Sequence, residues 1–235
     1  EMRDGLVGSE MCIRDRFGGM PSLQDLEKPE SELSSELYSS DNKLLGKYFR
    51  YNRSPVKFDE LSDELVTTLL VTEDIRFYDH SGIDLKGLVR ASYGVVKNIA
   101  TLGSSGLEGG GSTITQQLAK NLFKIRREKK GKLSGVPFLG LVISKVKEWI
   151  VAVKLEEFYT KKEILAMYLN TAEYGSNSYG IKVAAKTYFN KLPSELNYNE
   201  SSIIVGLLNK PTKYNPYFNP SNATEKRAEI FYNLY

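Results

Sequence analysis

Three short stretches of this chain combine residue types that could do chemistry. The first is Glu73-Asp74-Ile75-Arg76-Phe77-Tyr78-Asp79-His80-Ser81-Gly82-Ile83-Asp84. Glu73 directly follows an apolar helical face, so it can sit at a cleft edge with restricted water. Such burial raises a carboxyl pKa and suits the group to general-base work. The same pattern also fits a plain helix-end acid with a core histidine nearby. The second stretch runs from Gly109 through Gly111, Ser112, Thr113, Thr115, Gln116 and Gln117 to Lys120 and Asn121. A glycine loop here enters a helix whose first N–H groups are unpaired and whose dipole is positive, with Ser112 or Thr113 as the natural cap. That arrangement suits a phosphate or pyrophosphate, although it is also that of an ordinary capped helix. It is not a Walker loop, because no Gly-Lys-Ser/Thr follows at the required spacing. The third stretch holds Lys145, Lys147, Glu148 and Lys154. At 100° per residue, Lys147 and Lys154 share a face, whereas Glu148 falls beside Val151, Ala152 and Leu155. A carboxylate on the less polar side of a helix is costly unless paired or used, and Lys145, three residues earlier, offers an intrahelical pair. Two acids, several lysines and a phosphate-suited helix start together suggest glycosyl transfer with a phosphate leaving group.

The elements that must carry these residues are mostly helices. Leu61, Leu65 and Leu69 recur every four residues toward Glu73, one face of a helix. Ile114, Leu118 and Leu122 repeat that spacing, with Thr113, Gln117, Lys120 and Lys124 on the other side. Thr160 and Glu163 form a capping box that opens a helix with Ile164, Leu165, Tyr168 and Leu169 facing inward. Ile181, Ala184, Ala185 and Tyr188 mark a further helix, and another spans about Asn199 to Asn209, stopped by Pro211. Alternating strand patterns are scarce, so the expected class is mainly α. The five glycines between Gly103 and Gly111 read as a mobile loop. Residues 17–46, with Pro21, Pro29 and six serines, read as a linker or arm, and the globular pattern begins at Lys47. Residues 1–16 have no helical or strand period and resemble a translated sequencing adapter, which would make Cys12 foreign to the protein. The chain stops at Tyr235 inside a helical pattern and reads as a piece cut at both ends.

Composition removes several alternatives. At 235 residues, 41% hydrophobic and 26% charged, the chain is ordinary globular protein rather than a disordered one. One cysteine and one histidine exclude a disulfide framework, a cysteine-rich zinc site and most multi-histidine metal centres. The net charge of +3 is too weak to argue for nucleic acid. The longest apolar stretch, Val136 to Ile143, has 8 residues, against the roughly 20 a spanning helix needs. Charge is uneven. Residues 116–162 carry 12 basic and 4 acidic side chains, and residues 124–132 form a basic run beside that short apolar stretch. The pair fits a surface resting in a lipid interface or, equally, a solvated loop.

Five stretches, in order, resemble the motifs of family-51 glycosyltransferases, the peptidoglycan glycosyltransferase domains of class A penicillin-binding proteins. Glu73-Asp74, Phe77, His80, Gly82 and Asp84 resemble the first, and Gly111 through Gln117 with Lys120 and Asn121 the second. Lys145 with Glu148 resembles the third, Lys161 with Ile164, Leu165, Tyr168, Leu169 and Asn170 the fourth, and Gly180, Ile181, Ala184, Ala185, Tyr188 and Phe189 the fifth. Tyr214-Asn215-Pro216 fits the closing segment. One departure stands out: Ser144 occupies a position where the family usually has arginine, and Lys147, Arg126 and Arg127 are the candidates to replace its charge.

The resemblance implies a lysozyme-like helical domain over residues 47–235, without the membrane anchor and transpeptidase domain that flank it in such proteins. It implies polymerisation of lipid II into β-1,4-linked glycan, with inversion, from a donor chain linked to undecaprenyl pyrophosphate. Glu73 and Glu148 would be the catalytic pair, Glu73 as the base. Asp74, Phe77, His80, Ser112, Thr113, Gln116, Gln117, Lys120, Asn121, Lys145 and Asn170 would bind substrate. Implied partners are these glycolipids, the membrane surface at the outer face of the bacterial cell membrane and other cell-wall synthesis proteins, with no nucleic acid. No organic cofactor is expected. A divalent cation, Mg²⁺ or Mn²⁺, is the one candidate, since such ions commonly offset pyrophosphate charge, and no sequence feature fixes a site for it. Two rival readings are a lysozyme-like hydrolase, which has no need of a basic pyrophosphate site, and a catalytically silent glycolipid-binding module, which has no need of Glu73.

Overall fold

The computed structural model describes residues 35–41, 44–48, 55–90, 111–123 and 137–234, together with Pro21, Leu26 and Tyr93. The Gly-rich stretch 103–110 and the basic run 124–132 lie outside the described residues, as do residues 1–16. The chain divides into two compact units. One comprises Ser31–Asp79 and Lys161–Tyr235, the other Glu1–Glu30 and His80–Thr160. The chain therefore passes from one unit to the other inside the first motif.

The unit of Ser31–Asp79 and Lys161–Tyr235 begins with an antiparallel hairpin of β1, Ser35–Tyr38, and β2, Leu44–Tyr48. Its register runs Ser35 to Tyr48 and Glu36 to Lys47, with an irregularity at Leu37/Tyr38. The hairpin lies largely within residues 17–46, which the sequence reads as a linker or arm, and strands were not expected there. Two strands of four and five residues are too short for alternation to stand out among serines and acids. Helix α1 spans Asp63–Glu73 and starts where the Ser62 hydroxyl accepts from Leu65 N at 3.2 Å, satisfying one of the first-turn donors. Leu65, Thr68 and Leu69 are its buried face. Leu61, expected inside this helix, precedes it and is nevertheless buried.

After α1 the fold continues in α4, Lys161–Thr171, α5, Ile181–Phe189, α6, Tyr198–Asn209, and α7, Pro220–Tyr232. Helix α6 opens with a capping box in which Asn197 Oδ1 accepts from Glu200 N and Glu200 accepts from Asn197 N. Helix α6 packs against both α1 and α7. Ile164, Leu165, Leu169, Ile181, Ile204, Val205 and Leu207 are fully buried, each a side chain worth about 1.5–3 kcal/mol on removal from water. Between α4 and α5 the chain turns through Gly175, Ser176, Asn177 and Gly180, all at positive φ. Asn215 ties this turn down by donating from Nδ2 to Ser176 Oγ and to the Tyr188 hydroxyl, both at 3.0 Å.

In the other unit, α2, Ile114–Phe123, packs against the long α3, Pro137–Phe158. Ile114, Leu118 and Ala119 of α2, and Val151, Ala152 and Leu155 of α3, are fully buried. Residues 85–90 are also helical, begun by Asp84, whose Oδ1 accepts from Gly87 N at 3.0 Å. Among the described residues, helix is the dominant element, as expected, and no helix is long and apolar enough to cross a membrane.

Candidate active site

Glu73 is the last residue of α1 and is half-buried. Asp74 behind it is buried, and its N–H donates to Leu70 O at 3.0 Å, so the helix ends there and the chain turns sharply. Phe77 N then donates to Asp74 O at 3.0 Å. The Phe77 ring is fully buried beneath the Lys161 ammonium, 4.2 Å from its centroid, so in the folded chain Phe77 packs and anchors the turn. Tyr168, on α4, is also buried. Burial pushes its phenol pKa well above the ordinary value, and the Glu73 charge pushes it further. The Glu73 carboxylate therefore lies within electrostatic reach of a neutral phenol. Asn170, on the same helix, holds the backbone of Val56 at both ends. Val56 N donates to its Oδ1 at 3.0 Å, and its Nδ2 donates to Val56 O at 2.8 Å.

The second group belongs to the unit of α2 and α3. Glu148 lies on the buried face of α3 with Val151, Ala152 and Leu155, the face its spacing predicted. The Lys145 ammonium is 2.8 Å from its carboxylate, and the two side chains are 28% and 2% exposed. Lys145 thus keeps access to solvent while its partner does not. The same ammonium donates to Ser112 Oγ at 2.6 Å, so a cation stands at the start of α2. Ser144, where the family usually has arginine, donates to Gly140 O of its own helix at 2.8 Å. Lys147 is half-buried, and Arg126 and Arg127 lie outside the described residues.

Thr113 and Gln116 are buried and point inward. Thr113 Oγ1 donates to Gly82 O at 2.8 Å and accepts from Gln116 N at 3.2 Å, and Gln116 Nε2 donates to Gly82 O at 3.1 Å. Gln117 is half-buried, Lys120 and Asn121 are exposed on α2, and His80 is half-buried. Sequence reasoning missed Thr115, whose hydroxyl donates to Glu156 at 2.6 Å and joins α2 to α3. It also missed the carbonyl of Gly82 as a shared acceptor, since a backbone oxygen leaves no mark in a motif.

Gly82 adopts φ +85°, and a Cβ there would lie 2.8 Å from the Ala152 carbonyl carbon. Gly82→Ala is expected to cost about 3 kcal/mol, combining the left-handed penalty with an overlap against rigid backbone. Gly206, inside α6, is the control. Its Cβ would come nearest the flexible Lys226 Cγ at 3.3 Å, with Ile230 Cδ1 in ordinary contact at 3.6 Å, so Gly206→Ala should be near neutral. Denaturation midpoints of the two variants check the contrast.

The profile of the transglycosylase family matches residues 41–235. The chain belongs to the transglycosylase family. Among curated relatives, penicillin-binding protein 1A of Vibrio cholerae is 36% identical over 211 residues, covering 90% of this chain and 23% of the relative. Penicillin-binding protein 1A of Haemophilus influenzae is 38% identical over 203 residues, covering 86% and 22%. The chain thus spans about a quarter of the length of these relatives. A crystal structure of the Haemophilus influenzae protein aligns with 88% of this chain and 18% of its own, at 21% identity and a TM-score of 0.43. The family match begins within the Ser35–Tyr48 hairpin, before the boundary expected at residue 47. It takes in Glu73, the start of α2 and the Lys145–Glu148 pair.

Proposed function

We propose that this transglycosylase domain polymerises lipid II into β-1,4-linked glycan strands and releases undecaprenyl pyrophosphate. The observation that carries the reading is the Lys145 ammonium, held by buried Glu148 and donating to Ser112 at the start of α2. A cation and a helix N-terminus together stabilise a departing pyrophosphate. Glu73 takes the proton from the acceptor 4-hydroxyl as that oxygen attacks the anomeric carbon of the donor. The electron pair of the broken C–O bond leaves on the pyrophosphate. Glu148 keeps Lys145 in place. Gln117, Lys120 and Asn121, on the solvent side of α2, bind the glycolipid.

The described residues contain no group of three or more His, Cys, Asp or Glu side chains that could hold a metal ion, and Glu148 is already paired. No step of the proposed reaction is routed through a protein-held divalent cation. The hydrolase reading is weaker because water as acceptor gives no reason to hold a cation at a helix start. Incubating the chain with lipid II and, separately, with preformed glycan separates the two: elongation products from the first support transfer, and cleavage of the second alone supports hydrolysis.

We further propose that the domain works on the outer face of the bacterial cell membrane. In the unit of α2 and α3, Leu85, Val89 and Tyr93 repeat every four residues and are each about 70% exposed, and Val142, Val146 and Ile150 form a second exposed stripe along α3. Exposed apolar stripes in a chain whose sequence also carries a basic run at 124–132 suit a lipid interface, where each basic residue contributes roughly 1 kcal/mol on an anionic surface. The chain is expected to sediment with anionic liposomes at low salt. Neutralising Lys124, Arg126, Arg127, Lys129, Lys130 and Lys132 together should release it. Absence of sedimentation by the unaltered chain would contradict the proposal.

A further inference from the structure

The carbonyl of Gly82 takes two side-chain hydrogen bonds from one helix start, from Thr113 Oγ1 at 2.8 Å and from Gln116 Nε2 at 3.1 Å. Both donors are buried, Thr113 at 3% exposure and Gln116 at 2%. The Thr113 hydroxyl also accepts from Gln116 N at 3.2 Å, so one hydroxyl caps α2 and ties it to the loop. Gly82 in turn lies against α3, since even a methyl group at its Cα would strike the Ala152 backbone at 2.8 Å. The first motif, the start of α2 and the middle of α3 thus meet at one peptide group. Ser112, directly before Thr113, accepts from Lys145 on α3.

We infer that Thr113 and Gln116 are positioning residues that act through the Gly82 carbonyl, fixing the start of α2 so that Ser112 meets Lys145. This inference rests on the proposed role of Lys145 toward pyrophosphate. Thr113 Oγ1 and Gln116 Nε2 both donate to the chain's own backbone, and both side chains are buried. A buried hydroxyl or amide that shares its acceptor with a second donor gives a specific energetic signature. Losing either donor loosens the same joint, so the two losses overlap rather than add. Residues that touch substrate at separate points lose binding independently, and their effects multiply.

The test is a double-mutant cycle on lipid II turnover in detergent, with Thr113→Val, Gln116→Leu and the double variant, and thermal unfolding followed in parallel. Each single change is expected to lower kcat about tenfold, the scale of a buried hydrogen bond whose partner is left unpaired, with a smaller change in KM, because the cation it places acts on the departing pyrophosphate. The double variant should be impaired by far less than the product of the two, within about threefold of the worse single variant. Thr113→Ser, which keeps the hydroxyl, should recover most of the loss of Thr113→Val. Multiplicative losses in folded variants, or failure of Thr113→Ser to recover turnover, would overturn the inference. If a variant does not fold, Thr113→Ala and Gln116→Met replace the pair, with the same expectation. Lack of turnover by the unaltered chain would instead remove the functional reading on which the inference rests.

Discussion

Glu73→Gln is expected to abolish glycan polymerisation while the chain stays folded. The change keeps the volume of the side chain and removes only its ability to take a proton. General-base loss costs about 10²–10⁴-fold, enough to erase a product ladder. Glu73 closes α1 at its C-terminal end, where the helix dipole disfavours a negative charge, and it stands near the buried phenol of Tyr168. Neutralising it removes the unfavourable interaction with the helix dipole. Thermal unfolding of the variant should therefore stay close to that of the parent. A variant that polymerises at near-parental rates would remove Glu73 from the role of base.

The second large effect is expected at Lys145. Lys145→Ala removes the cation at the start of α2 and should lower turnover by about 10²–10³-fold, the scale of a lost electrostatic stabiliser. It also takes the Lys145 ammonium away from the buried Glu148 carboxylate, 2% exposed. Breaking a buried pair on one side costs about 3 kcal/mol or more, so this variant should unfold earlier. Glu148→Gln in the same chain removes the buried charge. The double variant is expected to recover stability without recovering turnover. That pattern separates the two contributions of the pair, since stability follows charge balance and turnover follows the cation. Affinity for a phosphoglycolipid inhibitor should fall with Lys145→Ala and stay low in the double variant. Unchanged affinity would place Lys145 away from the pyrophosphate.

Helical periodicity made much of this legible. Glu148 was assigned to the buried side of its helix from 100° steps alone, and it lies there with Val151, Ala152 and Leu155. The inward residues of α4 and α5 followed from the same rule. Leu61 did not follow it, because Ser62 caps α1 and leaves Leu61 outside the helix. A three-to-four spacing cannot show where a helix begins when the residue before the cap is also apolar. The β1–β2 hairpin was hidden by its shortness. The deeper limit concerns direction. Motif membership groups Thr113, Gln116, Phe77 and Asn170 as substrate-binding; in the folded chain the first two donate to Gly82, Phe77 is buried and Asn170 holds Val56. Spacing says which residues recur together and leaves open whether they face a ligand or the protein's own backbone.

The most direct test of the account follows bond making and leaving-group release in one reaction. The chain is supplied with labelled lipid II in detergent, and new glycosidic linkages and undecaprenyl pyrophosphate are quantified together, with the configuration of each linkage read by NMR. The account predicts one pyrophosphate released per linkage formed, every linkage β, and neither product with Glu73→Gln. Pyrophosphate release without linkage formation, α-configured product, or equal turnover by Glu73→Gln would contradict it.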